Sequence, residues 1–189
     1  GRYMIAATDV QYFEEGARAA CVCFHEWSDS APAEEYTAWC TDIAPYEPGA
    51  FYKRELPCLL EVLTPLLPRL SLIIVDGYVW LGDENTPGLG ARLYQALEGK
   101  IPVVGVAKTR FAGAAPVVEV LRGESKTPLY ISTVGCNIDA ISEHIIAMNG
   151  LYRLPELLKY VDKLARLDRK SVVTGQRVDL GGRSIFKKK

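Results

Sequence analysis

Apolar residues recur along this chain with two different periods, and the change from one to the other divides it. Residues 3–8 (Tyr-Met-Ile-Ala-Ala-Thr) form a short apolar run leading into Asp9. Such a run predicts a strand, and Ala17 to His25, after a turn at Gly16, predicts its hairpin partner. From about Glu35 to Thr41, Tyr36, Ala38 and Cys40 alternate with other residues, which predicts a third strand and an antiparallel meander. Beyond Pro45-Tyr46-Glu47-Pro48-Gly49 the spacing becomes helical. Leu56, Leu59, Leu60 and Leu63 mark a core-facing stripe that Pro65 and Pro68 terminate.

The chain then alternates between the two periods. A strand from Leu72 to Val75 ends at Asp76-Gly77, a helix covers roughly Gly90 to Glu98, and a strand follows from Val103 to Val106. A hairpin-like region leads to a strand at Leu129 to Ser132, then to helices at Ile138 to Met148 and Pro155 to Leu167. Three antiparallel strands followed by parallel ones predict an α/β fold, a mixed sheet flanked by helices. The first strand lies at its centre, paired with the strand that ends in Asp76. With no internal repeat or long linker, residues 1–170 read as one domain and 171–189 as a basic C-terminal tail.

Composition narrows the possibilities. The chain has 189 residues, 49% of them hydrophobic and 24% charged, as in a globular protein rather than a disordered one. Its apolar runs are far shorter than the ~18 residues of a membrane helix, so no membrane partner and no secretory leader are expected. Five cysteines without a Cys-x-x-Cys pair suit a reducing, cytoplasmic setting, and a monomer of mostly buried thiols is the expectation. His25 and His144 stand far apart without neighbouring cysteines, which argues against zinc and leaves oxygen ligands for any metal. The net charge of −1 conceals a polarity, because residues 159–189 carry ten Lys and Arg against three Asp and Glu. A basic end of this kind can steer a polyanion.

Asp9 and Asp76 each end an apolar strand, and the predicted pairing makes them neighbours, with the helix carrying Glu55 able to cover them. Adjacent buried carboxylates repel one another unless a cation neutralises them. A hard divalent ion does so, and three acids from separate segments are what a metal-dependent phosphodiesterase requires. A turn or capping role for any single Asp after a strand remains the plainer alternative.

Longer strings add to this. Thr8-Asp9-Val10 with Arg18-Ala19-Ala20, then Pro45-Tyr46-Glu47-Pro48-Gly49 through Arg54-Glu55-Leu56-Pro57, are followed in order by four more. These are Val75-Asp76-Gly77, Gly105-Val106-Ala107-Lys108-Thr109-Arg110, Pro128-Leu129-Tyr130-Ile131-Ser132 and Tyr152-Arg153-Leu154-Pro155-Glu156. In this order they resemble the endonuclease V family, inosine-directed nucleases with an RNase H-like fold, from Ala6 to about Ala165. The resemblance implies that Asp9, Glu55 and Asp76 are catalytic acids holding Mg2+, with Mn2+ as the alternative, and that Lys108 is the active-site lysine. It implies that Tyr46 is a wedge replacing lost stacking, and that Gly49, Phe51 and Gly77 line the pocket for the turned-out base. The partner would be DNA or RNA containing inosine, single-stranded or locally unpaired. The reaction would be hydrolysis of a phosphodiester one nucleotide beyond the modified base on its 3′ side.

The chain departs from that family in two stretches. Where the family has a Gly-His pair after the Pro-Leu-Tyr-Ile strand, this chain reads Thr133-Val134-Gly135-Cys136-Asn137-Ile138-Asp139. The resemblance implies that the family's histidine helps complete the metal and water environment, and the missing group aligns with Val134, Gly135 or Cys136 depending on where the gap falls. His144 lies on a different helical face from Asp139, whereas Asp139 and Glu143 share one and are candidate substitutes, Asp139 being equally a first-turn acid. From Tyr78 to Gly90 the family's histidines and basic residue give way to acidic Asp83 and Glu84. Gly88-Leu89-Gly90 lacks the third glycine and preceding strand of a dinucleotide fingerprint. Three functional readings follow: an inosine-directed endonuclease, an inosine-binding relative with impaired cleavage for want of the histidine, and an RNase H-like nuclease without inosine preference.

Overall fold

The structure is a computed structural model that describes residues 2–48, 50, 52–83, 85–113 and 115–167, together with the backbone of residues 177–182. An eight-stranded sheet runs in the order β6-β7-β5-β4-β1-β2-β3-β8. The strands are β1 (Met4–Phe13), β2 (Gly16–Phe24), β3 (Glu34–Cys40), β4 (Leu70–Asp76), β5 (Val103–Ala107), β6 (Val118–Val120), β7 (Leu129–Val134) and β8 (Arg177–Gly182). The helices are α1 (Tyr52–Leu63), α2 (Leu89–Ala96), α3 (Ile138–Ala147) and α4 (Glu156–Arg166). Pro65 and Pro68 convert the end of α1 into a 3-10 turn over Thr64–Arg69 rather than a clean stop.

β1 runs antiparallel to β2 and parallel to β4, as its central, doubly buried position requires. Alternate residues of β1 serve two cores. Met4, Ala6 and Val10 join Cys58, Leu59, Val62 and Leu63 of α1 and Leu93 of α2 on one face. Ile5 and Ala7 join Ile141 and Ile145 of α3 and Leu157, Leu158 and Val161 of α4 on the other. Both faces being covered, these strands read as continuous apolar runs instead of a strict alternation.

The far edge departs from the expected continuation of parallel strands. β4 and β5 are parallel, but β7 runs antiparallel to β5 and to β6. A parallel neighbour needs a crossover element, and the connection from β5 to β7 contains only the short strand β6. At the opposite edge, the backbone of β8 pairs in parallel with β3. β8 lies within the segment assigned to the tail, and residues 168–176 and 183–189 lie outside the described residues. Among the described residues, no helix is long and apolar enough to cross a membrane. Cys21, Cys23, Cys40 and Cys58 are buried free thiols and Cys136 is half-buried.

Candidate active site

Ala7 pairs with Ile74 across β1 and β4, and carrying that register two residues on sets Asp9 beside Asp76. Asp9 is only 5% exposed, and Asp76 is the last residue of β4. Their shared side of the sheet is the one covered by α4, so the element over Asp9 is α4 and not the Glu55 helix. Glu55 belongs to α1 on the other face and interacts electrostatically with Asp76 at the strand ends.

From α4, Asp162 completes the pocket, a residue the sequence reading passed over. Gln11 Nε2 donates to Asp9 Oδ2 at 3.0 Å and to Asp162 Oδ1 at 3.3 Å, tying the two acids together. Arg166 Nη2 stands 3.1 Å from Asp162 Oδ2, and Lys108 Nζ stands 3.6 Å from Asp76 Oδ2. Leu154, Leu158 and Val161 close the pocket with apolar walls. Asp162 could have been found from its helical position: it follows Val161, with Leu158 four residues before and Ala165 three after, at the margin of the buried stripe. Asp139 and Glu143 do not line this pocket. Asn137 caps α3 by accepting from Ala140 N, with Asp139 in the first turn, and His144 stacks on Trp27 at 5.1 Å.

Burial dominates the electrostatics of this group. Desolvation, then the hydrogen bond with Asp162 and the charge of Asp76, pushes the Asp9 carboxyl up to about 9, while the Gln11 amide opposes the rise. Desolvation and Asp76 push Glu55 up to about 8 against the pull of Arg54. Both carboxyls therefore favour the protonated form at neutral pH.

The side chains that meet here offer carboxylate oxygens, the set that magnesium and manganese prefer, and the charge of Asp76 raises both Asp9 and Glu55, a strain that a shared cation would relieve. The chemistry of the donor set fits such an ion. As the side chains stand, no group of three or more His, Cys, Asp or Glu among the described residues is arranged to hold a metal.

Next to the acids lies a cavity of about 400 Å³ whose lining includes Glu55, Asp76, Gly77, Tyr78, Leu89 and Phe111. Gly77 has φ +132°, a conformation that few other residues adopt, and its carbonyl oxygen would stand 2.5 Å from any Cβ at position 105. Glycine at 105 thus lets the floor of the cavity sit close on β5. Gly88 and Gly90 have a packing explanation as well, since a Cβ on Gly90 would meet Val79 Cγ2 at 2.7 Å. Tyr46 is 57% exposed on the segment before α1. Gly49, Phe51 and Glu84 lie outside the described residues.

The segment lacking the expected histidine is located elsewhere. Because β7 is antiparallel to β5, Tyr130 pairs with Ala107 while Val134 pairs with Val103. The Gly135-Cys136 turn therefore lies by the start of β5, where a Cβ on Gly135 would be 3.3 Å from Pro102 Cα. Lys108 and Asp76 are at the other end of the strands. Thr133 and Cys136 serve the scaffold there: Thr133 Oγ1 donates to Cys136 O at 3.1 Å and Trp80 Nε1 donates to Thr133 O at 3.2 Å.

Comparison with known proteins gives the family. The sequence model for Endonuclease V matches residues 2–138. The chain is 31% identical over 196 residues to Endonuclease V of Rhodospirillum centenum, covering 90% of this chain and 80% of that protein. It is 30% identical to Endonuclease V of Xanthomonas axonopodis pv. citri, with 86% and 76% covered. Among solved structures, Endonuclease V of Streptomyces avermitilis superposes with a TM-score of 0.68 at 26% identity, covering 88% of this chain and 81% of that one. Endonuclease V of Ciona intestinalis, in complex with a 24mer DNA containing an inosine followed by a ribo-adenosine, shares the fold at TM-score 0.68 and 16% identity, with 87% and 84% covered.

Proposed function

The chain belongs to the Endonuclease V family, and from that premise we propose that it is a metal-dependent endonuclease hydrolysing a phosphodiester on the 3′ side of inosine or deoxyinosine. The observation that carries the reading is the meeting of Asp9, Asp76, Asp162 and Lys108 in one pocket beside the cavity shared by Glu55 and Asp76. Asp9, Glu55 and Asp76 would hold magnesium or manganese, with Asp162 as a fourth acid. When bound, the ion supplies positive charge to the scissile phosphate and acidifies a water.

The chain's own residues account for the remaining steps. Lys108 holds a phosphate oxygen or the attacking water, and its ammonium balances Asp76 until substrate arrives. Gln11 keeps Asp9 and Asp162 oriented toward each other. The turned-out base enters the cavity over Gly77, between Tyr78, Leu89 and Phe111, where apolar and aromatic walls exclude water. Gly49 and Phe51 are proposed to complete that lining. Tyr46, exposed on the proline-flanked segment, fills the gap left in the stack.

Cleavage, rather than binding alone, is favoured by the place of the departed histidine. Its segment lies at the start of β5, away from the acids, so its change takes no group from the pocket lined by Asp9 and Asp76. The test incubates the full chain with single-stranded DNA or RNA carrying one inosine, with magnesium or manganese. Cleavage lost in Asp76→Ala supports the reading, and binding without cleavage under every metal condition rejects it in favour of the binding protein. Equal cutting of unmodified strands rejects the assignment of the cavity.

A further inference from the structure

We infer that Tyr152 and the outer edge of α4 form a track for the flank of the single nucleic-acid strand whose modified base occupies the cavity. The inference rests on the proposed action on nucleic acid and adds where the rest of the strand runs. Lys159, Asp162, Lys163 and Arg166 fall at i, i+3, i+4 and i+7 of α4, which places them on one face. Leu157, Leu158, Val161, Leu164 and Ala165 form the buried stripe. Asp162 is where the polar face meets the acid pocket, while Lys159, Lys163 and Arg166 are exposed around it. The cations therefore flank the phosphate site.

At one end of this face Lys159 Nζ lies 5.5 Å above the ring of Tyr152, which is 67% exposed. A single exposed tyrosine is ordinarily unremarkable, but this one is held in place by two guanidinium groups. Arg122, only 5% exposed, donates to the carbonyl of Tyr152, to Met148 O at 2.6 Å and to Gly150 O at 3.2 Å. Arg153 donates to the carbonyl of Lys108 and to Pro128 O at 2.7 Å. Two arginines whose bonds here go to backbone carbonyls thus fix the Tyr152 loop against the end of β5 that carries Lys108.

An exposed ring on a fixed loop, beside a row of cations, matches a single strand, which offers a π face and a phosphate with every nucleotide. Stacking and phosphate neutralisation are indifferent to sequence, so the track anchors a strand and leaves selection to the cavity. Among the acids nearby, Asp162 is engaged by Gln11 and Arg166, and Glu35 accepts from Tyr160 on another side of the helix. Glu156 in the first turn is the carboxylate that opposes the track.

The test is fluorescence anisotropy of the full chain with labelled single-stranded DNA, with and without one deoxyinosine, in metal-free buffer over a range of salt. A Lys159→Gln/Lys163→Gln variant should reduce the slope of log affinity against log salt by about 0.7 per lysine on both strands. Tyr152→Ala should weaken both strands roughly five- to a hundredfold without altering the preference between them. Tyr152→Leu replaces it should the alanine variant not fold. Lys100→Gln, at an exposed lysine paired with Glu98, is the control and should leave both strands unchanged. Wild-type slope and affinity in the double variant and in the Tyr152 variant overturn the track alone. Loss confined to the inosine-bearing strand also overturns it, assigning these residues to the base site. Absence of binding by the wild-type chain overturns the nucleic-acid reading and the track with it.

Discussion

At its finish β5 leads to Lys108 in a pocket with Asp9, Asp76 and Asp162, whereas at its start the same strand meets Pro102 and the Gly135-Cys136 turn. One strand thus separates the acid pocket from a region of packing. The difference changes the weight of the missing histidine. A substitution at the finish of β5 alters a group in the acid pocket, while one at the start alters how β7 turns into α3.

The largest expected effect distinguishes the two ends directly. Asp76→Asn should lower the cleavage rate on inosine-containing strands by on the order of a thousandfold, whereas Cys136→His, which restores the family's residue type near that turn, should leave the rate unchanged in the same assay. A gain on Cys136→His would place that turn in the chemistry and erase the contrast. Next in size, Tyr46→Ala should weaken binding to inosine-containing strands by ~1–3 kcal/mol through lost stacking, read from equilibrium titrations.

A third effect concerns pH and marks the acid end as a place that costs stability when no cation is present. Asp9 rises from 3.8 to about 9 and Glu55 from 4.5 to about 8 on folding. Folded-state values above the unfolded ones mean that the folded protein retains more protons across this window. The metal-free protein should therefore lose stability as pH rises from about 4 toward 9, the reverse of an acid held low by a salt bridge. Thermal midpoints measured across that range check the sign. Asp9→Asn should flatten the decline and lie above wild type at mildly alkaline pH without metal, and a midpoint that climbs with pH would contradict the burial of these carboxyls. The smallest expected effect is at Gln11, where Gln11→Ala removes one amide shared by two acids and should cost about 0.5–1.5 kcal/mol of stability by thermal or chemical unfolding.

How much of this was legible in the chain follows from which signals are local. The apolar run into Asp9 and its partner run into Asp76 are local patterns, and the pairing of central strands follows from burial on both faces, so those two acids could be brought together beforehand. The helix carrying Glu55 can be set against them from the same pattern, and the strings of the family imply its role, but helical spacing does not say which side of a sheet a helix covers. Asp162 was missed because one acid in a helix with Lys159, Lys163 and Arg166 reads as part of a solvated face. Its place at the margin of the buried stripe is a weak local sign, which the packing of α4 over β1 makes decisive. The antiparallel course of β7 depends on the route of a connection rather than on any residue preference, and it decides that Cys136 is remote from Lys108.

On the proposed reading, acids from β1, α1, β4 and α4 serve one hard cation beside the cavity over Gly77. Calorimetric titration of the full chain with manganese at neutral pH, in two buffers of different ionisation enthalpy, tests it most directly. Binding should be saturable and accompanied by net proton release, because Asp9 and Glu55 must give up protons to bind, and both signals should weaken sharply in Asp9→Asn and Asp76→Asn. Binding with no proton release, or binding equally strong in both variants, would contradict it.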